Sequence, residues 1–171
     1  MAVVRIETGP QFKPSSSLID ETANDIAAVA SQPNVHAIQI DFDATASQRD
    51  FYTAIIKSLH TKLPPAMPIS ITALVSWCGD NSWLHALPID EAVPMFFRMG
   101  GPTATRASAP RNASTITEPL CSNSIGISTD EAWPNIQSTQ RVYMFRPGSW
   151  TQKDLANINT LGYQGLRGTS K

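Results

Sequence analysis

Short apolar runs alternate along this chain with segments whose apolar residues recur at helical spacing, the pattern of βα units that feed a parallel sheet. The first run is Val3 to Ile6. The spacing then predicts a helix from Ser17, where Ser17-Leu18-Ile19-Asp20 has the form of a capping box and Ile19, Ala23, Ile26, Ala27 and Ala30 share a face. Pro33-Asn34 ends it. A second run, His36 to Asp43, is followed by another helix opened by Ser47-Gln48-Arg49-Asp50, with Phe51, Ile55, Ile56 and Leu59 on its buried face and Leu63-Pro64-Pro65 as its stop.

Further strands are expected at Ile69 to Ser76, Ala92 to Arg98, Ile125 to Thr129 and Arg141 to Phe145, with a short helical piece around Ser82 to Leu87 and a last helix opened by Thr151-Gln152-Lys153-Asp154. Gly100 to Ser114 holds almost no large apolar residue and reads as a long surface connection. About six strands at these intervals fit either an open doubly wound sheet or a barrel. The placement of polar residues favours the barrel, because the carboxyl ends of its strands form the working face.

That end is heavily loaded. Glu7 closes the first strand, Asp41 and Asp43 the second, Ser76 and Trp77 the third, Arg98 the fourth, Asp130 and Glu131 the fifth, and Arg146 the sixth. In Gln39-Ile40-Asp41-Phe42-Asp43 the alternation of a strand puts Gln39, Asp41 and Asp43 on one face, with the two aspartates roughly 6 to 7 Å apart at their Cα atoms. Like charges so placed raise the proton affinity of one of them unless a cation intervenes, which suits acid and base work or metal binding. The structural alternative is that one aspartate caps the next helix or braces Arg5 on a neighbouring strand.

Trp77, Trp83, Trp133 and Trp150 all fall in loops just after expected strands. Flat rings of this kind suit the apolar faces of sugars, and packing beneath the loops is the competing role. His36, His60 and His85 do not form a metal set, and no zinc-protease, paired-cysteine, Walker or dinucleotide signature occurs, so neither a metal nor another cofactor is expected. The serine-hydrolase elbow G-x-S-x-G is also missing. Cys78 and Cys121 read as ordinary thiols, with one disulfide between them left open.

The 171 residues, 42% of them hydrophobic, can bury a substantial core and read as one domain over residues 1–171. The formal charge of -1 supplies no basic field for nucleic acid or for an anionic membrane surface. No apolar run is long enough to span a bilayer, and MAVVRIETGP lacks the regions of a signal peptide, so the sequence as it stands is expected to be cytoplasmic. Asn112-Ala113-Ser114 is a formal sequon, read as chance.

The runs AIQIDFDAT, SITALVSWCGD, EAVPMFFRMG, GISTDEAW and VYMFRPGSWT, in this order, resemble a bacterial family of unknown function that looks related to the glycoside-hydrolase barrels. The resemblance implies two further βα units ahead of Val3, so that the chain would supply strands three to eight of an incomplete (β/α)8 TIM-type barrel. It also implies export, in periplasmic or lipoprotein form, if a segment lies upstream. Asp41 and Asp43 would then stand on the strand where chitinase-like barrels carry D-x-D-x-E with the acid last. Here that last position is Thr45, which cannot protonate a glycosidic oxygen at neutral pH, so the acid would have to be Asp43, or Glu131 meeting it across the mouth. Polysaccharide deacetylase chemistry would want an aspartate with two histidines, and no histidine is placed for it.

The leading expectation is a carbohydrate-active barrel with Asp41, Asp43 and Glu131 as catalytic acids and Glu7, Trp77, Arg98, Asp130, Arg146 and Trp150 binding substrate. A non-catalytic glycan- or partner-binding barrel and a partial gene product are the alternatives. Open sheet edges at Val3 and Arg141 allow self-association.

Overall fold

The structure is a computed structural model, described over residues 1–80, 82–97, 116–131, 133–134, 136–137, 139–154 and 156. Six strands form one sheet: β1 (Ala2–Arg5), β2 (Ile38–Asp41), β3 (Ile69–Leu74), β4 (Glu91–Met95), β5 (Ser124–Ser128) and β6 (Arg141–Phe145). They lie in the order β1-β2-β3-β4-β5-β6, and every neighbouring pair is parallel. A doubly wound sheet reverses its strand order part-way, and this one does not. The six strands wind in one direction into a curled half-barrel.

Two helices cover the outer face of the first strands, α1 (Ser16–Ala30) and α2 (Arg49–Lys62). The cap of α1 is Ser15, whose hydroxyl accepts from Leu18 N–H, two residues earlier than the spacing around Ser17 suggested. The expected box at Ser47 is likewise displaced. Thr45 and Gln48 close a capping box on the 3-10 turn Ala46–Gln48, and α2 continues from it. Asn34 takes a positive φ of 67°, which an asparagine tolerates, and so lets the chain turn back towards β2.

The main core lies between these helices and the sheet. Ile38 and Ile40 of β2, and Ile69, Ile71 and Ala73 of β3, meet Ala23, Ile26, Tyr52, Ile55, Ile56 and Leu59 of the helices. Each fully buried isoleucine or leucine there contributes roughly 1.5 to 3 kcal/mol. A smaller cluster of Val75, Phe96, Ile125 and Ile127, with Trp133, Val142 and Met144 against it, backs β5 and β6.

By the alternation of strands the other, concave face carries Arg5, Gln39, Asp41, Ser70, Thr72, Glu91, Ser124, Ser128, Arg141 and Tyr143. Pro94 thins the backbone ladder in the middle of this sheet. Phe96 N–H donates to Gly126 O, so the N–H two residues earlier would also face β5, and Pro94 has none. Only Met95 and Gly126 are register partners between β4 and β5. Side chains supply the missing stitching. Gly126 is the close-approach point, since a Cβ there would lie 3.3 Å from the Phe145 ring and 3.4 Å from Met95 Cα.

Candidate functional site

The register of β1 and β2 places Arg5 opposite Asp41, and the carboxyl-end loops carry Glu7 and Asp43 to the same place. Three carboxylates therefore meet one guanidinium. Arg5 Nε donates to Glu7 Oε1 at 2.9 Å, Nη1 donates to Asp41 Oδ2 at 2.7 Å, and Nη2 lies 3.7 Å from Asp43 Oδ2. Thr72 on β3 donates to the second oxygen of Asp41 at 2.9 Å, so that carboxylate accepts one bond from each neighbouring strand. The bracing of Arg5 foreseen as the structural alternative is thus present, and it involves both aspartates.

Burial differs sharply within the group. The Asp41 side chain is 12% exposed, against 51% for Asp43 and 76% for Glu7. Partial burial raises the proton affinity of Asp43, the charge of Asp41 raises it further, and Arg5 opposes both. Arg5 itself is held more firmly protonated by its bonds to Glu7 and Asp41. One carboxyl is consequently fixed as an acceptor while its neighbour stands half in solvent and holds a proton more readily than a free aspartate.

Thr45 shows why no third acid joins them from β2. Its backbone N–H and hydroxyl both donate to Gln48 Oε1, and Gln48 Nε2 donates to Thr8 Oγ1, tying this loop to the one after β1. The position is committed to a cap.

The aromatic expectations need correction at Trp77. The residue is 3% exposed and its ring packs against Trp83 at 5.2 Å and Tyr52 at 6.4 Å between ring centroids, so it offers no open platform to a sugar. Trp83 lies beneath the Arg49 guanidinium, 5.7 Å from the ring centroid. Trp133 donates its indole N–H to Ser128 O at 2.9 Å. Trp150 is the open ring among the four, 42% exposed.

The fifth strand ends with a separate polar group. Asp130 accepts from the Ser128 hydroxyl, and Glu131 follows it, half-buried. Two strands lie between this end and β2, roughly 14 Å along the sheet at about 4.8 Å per strand. Arg146 after β6 pairs with Asp154 at 3.1 Å and donates to Ser149 O, which folds the loop holding Trp150 back on itself. Asp154 is also the cap partner of Thr151, as the sequence implied. Arg98, expected to orient substrate, lies outside the described residues, as does the whole connection from Gly100 to Ser114, Asn112 included.

Sequence reasoning missed Glu91. This buried carboxylate at the start of β4 accepts from Ser70 at 3.0 Å, Tyr143 at 2.7 Å, Arg141 at 2.8 Å and Ser124. Gln39 extends the chain of bonds through Ser70. The network spans β2 to β6 and lies at the amino ends of β4, β5 and β6, the end of a parallel barrel that serves stability. Opposite charges at the first positions of EAVPM and RVYMF were the available signal.

A second correction concerns the cysteines, which are not free thiols. Cys78 and Cys121 form a disulfide with Cα atoms 5.9 Å apart. Among the described residues, no group of three or more His, Cys, Asp or Glu side chains is arranged to hold a metal ion, and no helix is long and apolar enough to cross a membrane.

Comparison with curated proteins and with solved structures returned no match in either case. Residues 1–99, which span β1 to β4 and every residue of the Arg5 cluster, match the domain of unknown function DUF3142, and the chain belongs to that family.

Proposed function

We propose that this chain is a carbohydrate-directed, glycoside-hydrolase-like protein whose site is the acidic end of β1 and β2, and that its half-barrel sheet follows the winding of an eight-stranded (β/α)8 barrel. The observation that carries this reading is the inequality of the two aspartates. Asp41 is fixed by Arg5 and Thr72, whereas Asp43 is half-exposed with a raised proton affinity. Such a pair supplies a proton donor beside a fixed carboxylate, which glycosidic cleavage requires. In this reading the exposed Glu7 accepts bonds from ligand hydroxyls, the exposed Trp150 stacks on a sugar ring, and Asp130 and Glu131 assist from the end of β5.

The test is hydrolysis of a varied glycan panel by the wild type and by Asp43→Asn. Cleavage by the wild type that falls at least a hundredfold in the variant supports the assignment. Equal rates in the two proteins, or no cleavage of any glycan, count against it.

One observation favours a non-catalytic reading. Thr45 stands where the chitinase-like signature ends in its acid, and both of its donors are spent on Gln48. A glycan-binding barrel without turnover would bind the same panel by calorimetry, keep that binding in Asp43→Asn and lose it in Trp150→Ala.

A further inference from the structure

We propose that the Cys78–Cys121 disulfide is a redox-sensitive tie that holds the aromatic cluster beneath the acidic strand end, so that its reduction loosens this cluster. The inference does not depend on any ligand or activity.

Helices α1 and α2 cover β1 and β2, but among the described residues the connection from β3 to β4 has only the short turns Val75–Trp77 and Leu84–Ala86. A cover so short needs another anchor. Cys78 follows the first of these turns directly, and Cys121 closes the turn Pro119–Cys121 that leads into β5, 43 positions away in sequence. Both cysteines are fully buried. The two segments are also joined by backbone, since Thr117 N–H and Glu118 N–H both donate to Cys78 O at 2.9 and 3.0 Å.

The tie reaches the site through contacting rings. Trp77 precedes Cys78 and packs on Trp83 and Tyr52, and the Tyr52 ring is 5.1 Å from that of Phe42. Phe42 is the residue between Asp41 and Asp43. Without the covalent bond, the turn carrying Trp77 is linked to the β5 side by the hydrogen bonds from Thr117 and Glu118 and by the packing of Val75 with Ile125 and Ile127, and the seat of Phe42 loses its covalent backing.

The chemistry is thiol–disulfide exchange. A dithiol supplies two electrons and two protons, the S–S bond becomes two thiols, and the dithiol closes to its own disulfide. Because both sulfurs are buried, exchange requires local opening and is slow in the native chain.

The experiment equilibrates the intact chain with a dithiol, counts free thiols by alkylation and mass measurement, and follows the melting temperature and the near-ultraviolet circular dichroism of the tryptophans. Alkylation of both cysteines only after reduction, a melting temperature lower by roughly 10 °C and a weaker aromatic signal are expected. The doubly substituted Cys78→Ala, Cys121→Ala chain should start at the lower melting temperature and ignore the dithiol. Should that chain not fold, the wild-type titration decides. Thiols that alkylate before reduction, an unchanged melting temperature, a dithiol response retained by the double variant, or an aromatic signal indifferent to reduction would each overturn the proposal.

Discussion

Arg5 Nη1 lies 2.7 Å from Asp41 Oδ2, and the two residues are register partners on β1 and β2. The strand pairing itself therefore delivers the cation to the acids. Because Asp41 is mostly buried, Arg5→Gln should leave a poorly compensated carboxylate with Thr72 as its remaining side-chain donor. Arg5 is itself half-exposed, so screening reduces the cost to about 1 to 2 kcal/mol, measurable by urea denaturation at neutral pH. The same change removes the opposing influence of Arg5 on Asp43, whose carboxyl should then titrate at higher pH still by carbon-detected NMR. A carboxyl titration unmoved by Arg5→Gln would refute the coupling.

The pH dependence carried by Asp43 has a definite sign. Its folded pKa is raised, chiefly by burial, so the native state binds this proton more tightly than the unfolded chain does. The stabilisation is fully present below the ordinary aspartate range and is lost as pH rises through the higher folded value. Asp43→Asn should flatten that part of the stability–pH curve. With the side chain half in solvent the difference stays within about 1 kcal/mol, visible by comparing denaturation midpoints of the two proteins from acid to neutral pH.

Glu91→Ala should be the most damaging change on the concave face. It strips a common acceptor from Ser70, Ser124, Arg141 and Tyr143, at the level of the sheet where Pro94 has already thinned the β4–β5 ladder. A loss of roughly 3 kcal/mol is expected by guanidinium denaturation, with a smaller loss in Glu91→Gln, which keeps one carbonyl acceptor. Burial and the bond to Glu91 also push the Tyr143 phenol up, and Glu91→Ala should let it titrate closer to an ordinary tyrosine in an ultraviolet pH titration.

Gly126→Ala tests the close approach between β4 and β6. The added methyl would press on the Phe145 ring at 3.3 Å, which must give by a few tenths of an ångström, while the Met95 backbone at 3.4 Å is in ordinary contact. About 1 to 3 kcal/mol of destabilisation is expected, and Phe145→Leu in the same chain should recover part of it because the flexible neighbour is removed.

The sequence by itself determined the elements. Among the described residues apolar periodicity placed the six strands and both long helices, and alternation put Gln39 and Asp41 on one face, whereas Asp43 lies past the end of β2 and reaches Arg5 from the loop. These are local properties, fixed by bonds and contacts a few residues apart. Cap positions were less legible because Ser15, Ser17, Thr45 and Ser47 are chemically near-equivalent, and the choice among them depends on how the preceding loop arrives.

Only the tertiary structure decided the rest. The order of the strands, the meeting of Glu7, Asp41 and Asp43 on Arg5, the burial of Trp77 and the pairing of Cys78 with Cys121 all join residues from different elements. Glu91 shows the reason most clearly. Its partners Arg141 and Tyr143 lie 50 and 52 positions away, and they reach it because a curled sheet turns side chains of non-adjacent strands towards one another. Charge and alternation can say which face a residue occupies, but the curvature that brings faces together is a property of the whole sheet.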